Sequence, residues 1–137
     1  MRPIRARVPA PVSSGQELAT LEVEVSGSTG ERIELVFHGV HKTAESRVLR
    51  ISLVGDDARP FVAGDLFTYG EGPPMGRHPR ERFAPMELIL DVTRLLDRLA
   101  GTRRLSVRLD ILDTHERPVD RESLSLEGVE LRAAPAS

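Results

Sequence analysis

The chain has 137 residues, with 19 basic and 21 acidic side chains, a formal net charge of −2 and no cysteine. This length suits one domain with its own hydrophobic core. The charge balance excludes a general nucleic-acid binder, which needs a basic excess for phosphate contacts, and the lack of cysteine excludes disulfides, zinc–thiolate sites and thiol nucleophiles.

The N-terminal third predicts an arm followed by a hairpin. Residues 1–15 are basic and proline-rich, which is typical of an extended arm or an edge strand, and they lack the apolar segment of a signal peptide. Residues 18–25 and 33–37 alternate apolar and polar side chains on either side of a turn signal at 26–30. This pattern predicts an antiparallel hairpin.

Two more strands are predicted before the middle of the chain. Residues 47–53 alternate with an apolar row facing inward. In the next strand the spacing of Phe61, Ala63 and Phe67 predicts that these three side chains share one face. Gly64 in the same strand predicts a bulge or a close backbone approach.

The C-terminal half predicts a short helix between strands. Residues 86–90 alternate with their apolar row inward, and residues 92–99 change to the helical spacing i, i+3, i+4, i+7. Asp91 predicts the N-cap and Gly101 the C-terminal stop of a helix of about two turns that closes one end of the fold. Further strands are predicted at 105–111 and at 124–131.

Together these elements predict an all-β fold, an antiparallel β-sandwich or barrel of about seven strands with one short helix. We expect an extended N-terminal arm at 1–15, the sandwich domain at 16–132 and a flexible tail at 133–137. No apolar run approaches the ~20 residues that a membrane helix needs. We therefore expect a soluble, cytoplasmic protein without a membrane partner, either standing alone or as part of a larger protein.

Two residue pairs raise the question of a metal site. His38 and His41 are three residues apart, which places them on opposite faces of a strand unless Gly39 breaks it. Met75 and His78 form a soft pair suited to Cu(I), but they lack a third ligand, and the alternative is a solvated loop in which Met75 packs on the sandwich. We expect no metal site in this chain, with Met75 and His78 as the weaker alternative.

The sequence also predicts no catalytic residues and no cofactor. Its carboxylates show no spacing typical of a general acid–base pair, and no serine lies on a nucleophile-elbow pattern. An independent enzyme requires a convergent polar constellation, which the sequence does not predict. The carboxylates considered for such a pair are Asp91, Asp110, Asp113 and Glu116.

The central stretch carries a family resemblance. Residues 61–67, FVAGDLF, follow an aliphatic–Ala–Gly–x–aromatic pattern, a glycine-rich loop begins at Tyr69, and residues 90–96, LDVTRLL, lead from a strand into a leucine-rich helix. In this order they resemble the C-terminal β-sandwich domain that follows the dicopper domain in tyrosinases, plant polyphenol oxidases and molluscan hemocyanins. The resemblance covers roughly residues 30–132, with further short matches at 46–51, 105–109 and 126–131.

In that family the domain is not catalytic. It packs over the copper site and places a bulky loop side chain in the substrate entrance, and separate caddie proteins fill the same role and help to load copper. The resemblance therefore implies an accessory subunit, lid or caddie-like chaperone whose partner is a dicopper oxidase in cis or in trans, with copper held by the partner. The candidate plug residues are Tyr69, Met75 and Phe67, although Phe67 fits the core better.

Two other functions stay open at this stage. The same fold can serve as a protein–protein interaction or assembly module without a copper partner, including a homo-oligomer. An apolar patch away from the loop, or a self-complementary one, favours that hypothesis. A small enzyme or ligand-binding sandwich instead requires a deep pocket with convergent polar groups.

Overall fold

The structure is a computed structural model that describes residues 2–8, 11–26, 30–41, 45–68, 86–119 and 122–135. Within these ranges it contains ten strands, all paired antiparallel, and one short helix, α1 (Thr93–Arg98). This confirms the predicted all-β class with a single short helix. The strands are β1 (Ile4–Arg7), β2 (Val12–Ser13), β3 (Glu17–Glu22), β4 (Ile33–Val40), β5 (Arg47–Val54), β6 (Pro60–Thr68), β7 (Met86–Asp91), β8 (Arg104–Leu112), β9 (Ser123–Leu124) and β10 (Gly128–Ala133).

Two four-stranded sheets form a β-sandwich. Sheet I has the strand order β1-β10-β4-β7, sheet II has the order β3-β8-β5-β6, and β2 pairs with β9 in a short ribbon. The edge strands β1 and β3 contact each other on one side of the sandwich, and β6 and β7 contact each other on the opposite side. Each side of the sandwich is therefore bounded by one edge strand from each sheet.

The core is built from the apolar rows that the alternation predicts. Leucine, isoleucine and valine side chains from both sheets point inward and are almost completely buried, and burial of such side chains is the main favourable contribution to folding. The inner rows comprise Leu35 and Phe37 of β4, Leu49, Ile51 and Leu53 of β5, Leu105, Val107, Leu109 and Ile111 of β8, and Val129 and Leu131 of β10.

The predicted hairpin between residues 18–25 and 33–37 is wrong. β3 pairs with β8 in sheet II, whereas β4 lies between β10 and β7 in sheet I. The two segments do alternate as predicted, but alternation fixes only which face is buried and not which strand is the neighbour. Because the chain crosses from one sheet to the other, the two apolar rows meet the core from opposite sides.

Helix α1 follows its predicted apolar stripe, since Val92, Leu96 and Leu99 are buried in the core. Val92, and not Asp91, occupies the N-cap position, and its apolar side chain makes no capping hydrogen bond. None of the helical structure within the described residues is long and apolar enough to span a membrane. Gly101 ends the turn after α1 with φ +90°, a conformation that glycine adopts without strain.

The backbone of β1 packs closely against Gly128 of β10. A Cβ atom added at Gly128 would lie 2.9 Å from the carbonyl oxygen of Ala6, so only glycine fits without a shift of the backbone. The pairing runs from Ile4 opposite Leu131 to Arg7 opposite Gly128. Residues 4–7, within the segment predicted as an arm or an edge strand, are therefore an edge strand of sheet I.

Candidate functional site

Strand β6 contains the bulge that Gly64 predicts. Gly64 pairs with Ile51 of β5, but the next pair along the strand joins Val62 to Ser52. Ala63 is therefore an extra residue in β6, opposite no residue of its own in β5. Such a bulge adds one residue to one strand and reverses the in–out alternation beyond it.

The reversal changes the position of Phe67. Phe61 is half-buried against the core, but beyond the bulge Leu66 and Thr68 are the buried residues and Phe67 is 60% exposed. The predictions that Phe67 shares a face with Phe61 and that it fits the core are therefore wrong, because a regular period of two was assumed across the extra residue. Phe67 is instead an exposed aromatic side chain on the outer face of an edge strand.

Three large apolar side chains are exposed within the described part of the chain, and all three lie on β6 and β7. Val62 is 61% exposed, Phe67 60% and Ile89 43%. Single exposed apolar residues are common on protein surfaces, but these three are confined to the two edge strands on one side of the sandwich. This side is the candidate functional site, and we call it the β6–β7 side.

The two edge strands of the β6–β7 side are in direct contact. A Cβ atom at Gly64 would lie 2.9 Å from Cδ2 of Leu90, which is the close approach that this glycine predicts. Residues 69–85 join β6 to β7 along the chain and lie outside the described residues. Three residues with a predicted plug or metal role fall in that segment, namely Tyr69, Met75 and His78.

A cavity of about 430 Å³ opens on the same side, between the two sheets and α1. Asp91 is its central polar group: its Oδ1 accepts hydrogen bonds from the backbone N–H (3.0 Å) and the hydroxyl (2.6 Å) of Thr93. These hydrogen bonds, together with the charges of Arg32 and Arg94, lower the pKa of Asp91. Burial raises the same pKa, but by a smaller amount. The cavity is lined by Arg32, Ala63, Asp91, Thr93, Arg94 and Leu95.

An ion-pair cluster fixes the middle of β6 next to Phe67. Arg50 of β5 donates two hydrogen bonds to Asp65, at 2.9 and 3.1 Å, and one to Glu116 at 2.9 Å. These hydrogen bonds raise the pKa of Arg50 above its ordinary value. The two-pronged contact between Arg50 and Asp65 orients both side chains, so the backbone that carries Phe67 is tied to its neighbour strand.

A second polar arrangement crosses the outer face of sheet I. It runs from Arg5 on β1 through Glu130 on β10 and His38 on β4 to Glu87 on β7. The successive N–O distances are 3.2, 2.7 and 3.6 Å. We call these four residues the sheet I network, because they link all four strands of the sheet by side-chain contacts.

Glu130 is the buried member of the sheet I network, with its side chain 2% exposed. Burial opposes its charged form, but hydrogen bonds from His38 and Arg5 and their charges outweigh burial and lower its pKa below the ordinary value. Glu130 is therefore ionised at neutral pH and can only accept hydrogen bonds. It follows that His38 donates through Nε2.

His38 belongs to the sheet I network and not to a cluster of metal ligands within the described residues. Within the described ranges, no group of three or more histidine, aspartate and glutamate side chains is arranged to hold a metal ion. Gly39 does break the regular pairing of β4, with φ +64° and a register shift between Phe37 and Val40. The imidazole of His38 nevertheless contacts two carboxylates, Glu130 and Glu87.

Several residues of these sites gave no signal in the sequence. Glu130 alternates with buried Val129 and Leu131, which predicts an outward and exposed side chain, yet Glu130 is buried and contacts Arg5 of β1 and His38 of β4. Arg32 lies outside every motif, and Arg94 lies within residues 90–96, where the resemblance gives it no role. The bulge at Gly64 was predicted, but the change that it causes in the position of Phe67 was not.

Comparisons with known proteins assign no family to the chain. No protein-family model, no curated protein and no solved structure matches it.

Proposed function

We propose that the chain is a non-catalytic accessory domain that binds a dicopper oxidase of the tyrosinase type, in cis or in trans. It acts as a lid over the copper site or as a caddie-like chaperone in copper loading. The observation that carries the binding part of this proposal is the confinement of Val62, Phe67 and Ile89, the exposed large apolar residues of the described chain, to the β6–β7 side. The copper partner is supported by the sequence resemblance alone.

Phe67 is the anchor of the proposed interface. Full burial of a phenylalanine side chain stabilises by about 1.5–3 kcal/mol, so covering the exposed three-fifths of this one contributes about 1–2 kcal/mol. Aromatic side chains that fill a pocket of the partner carry much of the binding energy in protein interfaces. The contact between Arg50 and Asp65 holds the strand in place, which lowers the entropy cost of ordering it on binding.

A second function, an interaction or assembly module without copper, is favoured by a specific observation. Val62 lies at the end of β6 away from residues 69–85, and Ile89 lies on the other sheet. The apolar exposure is therefore not confined to the end of β6 that leads into the predicted loop. A partner that contacts the side of the sandwich, including a second copy of the chain, would use this exposure without reaching into a copper site.

The test is affinity capture from the native lysate with the tagged wild-type chain and two variants. Phe67→Ser removes the anchor and should reduce recovery of the partner about tenfold, whereas Phe67→Leu, the matched control, keeps most of the apolar area and should retain it. Captured proteins are identified and their copper content is assayed. All variants should keep the thermal stability of the wild type, because the side chain is largely exposed.

Recovery of a dicopper protein that depends on Phe67 supports the lid or caddie function. Recovery of partners without copper refutes the copper function. If size-exclusion chromatography shows a dimer that Val62→Ser dissociates, the assembly module is the better description. Equal capture by the wild type and Phe67→Ser would contradict the role of Phe67 in either function.

A further inference from the structure

The outer face of sheet II carries an apolar row that ends in Phe67. Phe67 of β6 lies opposite Val48 of β5, and Val48 lies opposite Leu112 of β8. Val48 and Leu112 are buried, whereas Phe67 is 60% exposed. Phe67 is therefore the exposed end of an apolar row whose other members are already covered.

A charged row runs beside the apolar row. Asp65 of β6 lies opposite Arg50 of β5, and Arg50 lies opposite Asp110 of β8. Arg50 bonds to Asp65 and to Glu116, both at 2.9 Å, whereas the carboxylate of Asp110 makes no hydrogen bond or ion pair with the described part of the chain. Phe67 is the diagonal neighbour of Arg50, a spacing of about 7–8 Å that long side chains can span. We call these five residues, Arg50, Asp65, Phe67, Asp110 and Glu116, the sheet II patch.

The sheet II patch has an excess of negative charge. It contains three carboxylates and one guanidinium, hence a net charge of −2. Glu116 is 66% exposed, whereas Arg50 is 32% exposed and is already shared by two carboxylates. The charge that the patch presents to a partner is therefore negative, and it lies beside an exposed aromatic ring.

Two neighbouring arginines do not cancel this excess. Arg108 lies on the same strand as Asp110 but opposite Glu17 of β3. Arg117 lies in one turn with Asp113, and its backbone hydrogen bond and its charge lower the pKa of that carboxyl group. Since each of these arginines faces a carboxylate of its own, the patch keeps its negative excess.

An arginine side chain matches both rows. Its aliphatic stem covers apolar surface while its charged end stays in a polar environment, and a guanidinium is attracted both by the face of an aromatic ring and by carboxylates. A metal ion matches less well, because no group of three or more metal-binding side chains is arranged to hold one within the described ranges. An acidic occupant would be repelled.

We propose that the sheet II patch binds an arginine side chain of the partner protein. The arginine covers the ring of Phe67, and its charge is attracted by Glu116 and Asp110. This inference rests on the proposed function, since it names the chemistry that the Phe67 anchor recognises. Charge complementarity of this kind contributes more to partner choice and association rate than to raw affinity.

The test is a peptide titration followed by two-dimensional ¹⁵N NMR of the full chain. The probe is acetyl-Ala-Arg-Ala-Arg-Ala-amide, and the matched control peptide replaces each arginine by citrulline, which has nearly the same shape and no charge. We expect the arginine peptide to shift the amide signals of Asp65, Phe67 and Glu116, and we expect the citrulline peptide to leave them unchanged. Because exposed charges are screened by salt, the binding should weaken when the ionic strength is raised.

Three variants localise the effect. Asp110→Asn combined with Glu116→Gln should weaken binding of the arginine peptide about fivefold, since it removes two of the three carboxylates. Glu24→Gln combined with Glu127→Gln, the charge-matched control, removes two exposed carboxylates outside the patch and should leave binding unchanged. Phe67→Leu keeps an apolar side chain but removes the aromatic face, and it should weaken binding about twofold or more. The amide spectra report directly that each variant is folded.

Equal shifts from the two peptides, no shift at the patch residues, or equal weakening by the two double variants would each overturn this inference. The proposed function fails separately. If Asp110→Asn combined with Glu116→Gln still captures a dicopper protein that requires Phe67, the arginine recognition is wrong while the accessory function stands. If the arginine peptide binds at the patch but no copper protein is captured, the patch stands and the copper partner does not.

Discussion

Replacing Glu130 by glutamine keeps the shape of the side chain but removes the negative charge at the centre of the sheet I network. In the wild type, Glu130 accepts a hydrogen bond of 2.7 Å from His38 and lies 3.2 Å from Nε of Arg5. Glutamine has one acceptor oxygen and one donor nitrogen in place of two acceptor oxygens. The glutamine oxygen can therefore accept a hydrogen bond from either His38 or Arg5. Its NH₂ group, which is a donor, then faces the donor group of the other residue.

The expected cost follows from what is lost. Hydrogen bonds to a charged group contribute about 1.5–3 kcal/mol each. Arg5 is largely exposed, so water can replace the hydrogen bond that its guanidinium loses. Residue 130 is only 2% exposed, so the glutamine side chain cannot bond to water in the same way. We therefore expect Glu130→Gln to lower the free energy of unfolding by about 2 kcal/mol, which corresponds to a fall of about 7 °C in Tm for a chain of this length.

Urea and thermal unfolding at pH 7, followed by circular dichroism, measure this loss. Glu127→Gln is the matched control, because Glu127 is exposed and its side chain makes no hydrogen bond or ion pair within the described ranges. The control should change stability by less than about 0.5 kcal/mol. A loss below that value for Glu130→Gln, or an equal loss in both variants, would refute the view that the network stabilises sheet I.

Two further predictions concern the same sheet. Gly128→Ala should lower the free energy of unfolding by about 1–3 kcal/mol and speed amide hydrogen exchange in β1, because the new Cβ meets the carbonyl oxygen of Ala6 at 2.9 Å. A variant with the urea unfolding and the exchange rates of the wild type would contradict this. Since the pKa of Glu130 is lowered from an ordinary value of 4.5, its stabilisation is complete above that pH and is lost as pH falls through the lower folded value. Unfolding measured from pH 7 to pH 3 should therefore show less acid destabilisation in Glu130→Gln than in the wild type, and parallel curves would exclude the mechanism.

The inner faces of the strands could be predicted from the sequence because burial there follows a strict period of two. The rows around Ile51 and Val107 are buried as the alternation requires, and the helical stripe that contains Leu96 follows the 3.6 period. Strand order could not be predicted in the same way. Alternation at β3 and β4 fixes which side chains face inward, but long-range pairing with β8 and β10 decides which strands are neighbours.

The candidate site was only partly accessible to the same reasoning. Gly64 predicted the bulge, but not that the extra residue is Ala63 or that Phe67 would turn outward as a result. The cavity beside Arg94 depends on how the edges of the two sheets meet, which no local pattern encodes. Glu130 was missed for a related reason, since it is covered by side chains from strands distant in sequence.

The pairing of β1 with β10 has a consequence for the order in which the protein is made. β1 is synthesised before its partner strand β10, which is separated from it by about 120 residues. At a synthesis rate of about 5–20 residues per second, on the order of ten seconds pass between the synthesis of β1 and that of β10. Sheet I is therefore completed last, and until then β4 lacks its neighbour β10 and exposes a template for strand pairing. In a crowded cell, this interval between the synthesis of β1 and of β10 is when the domain is most exposed to misassembly.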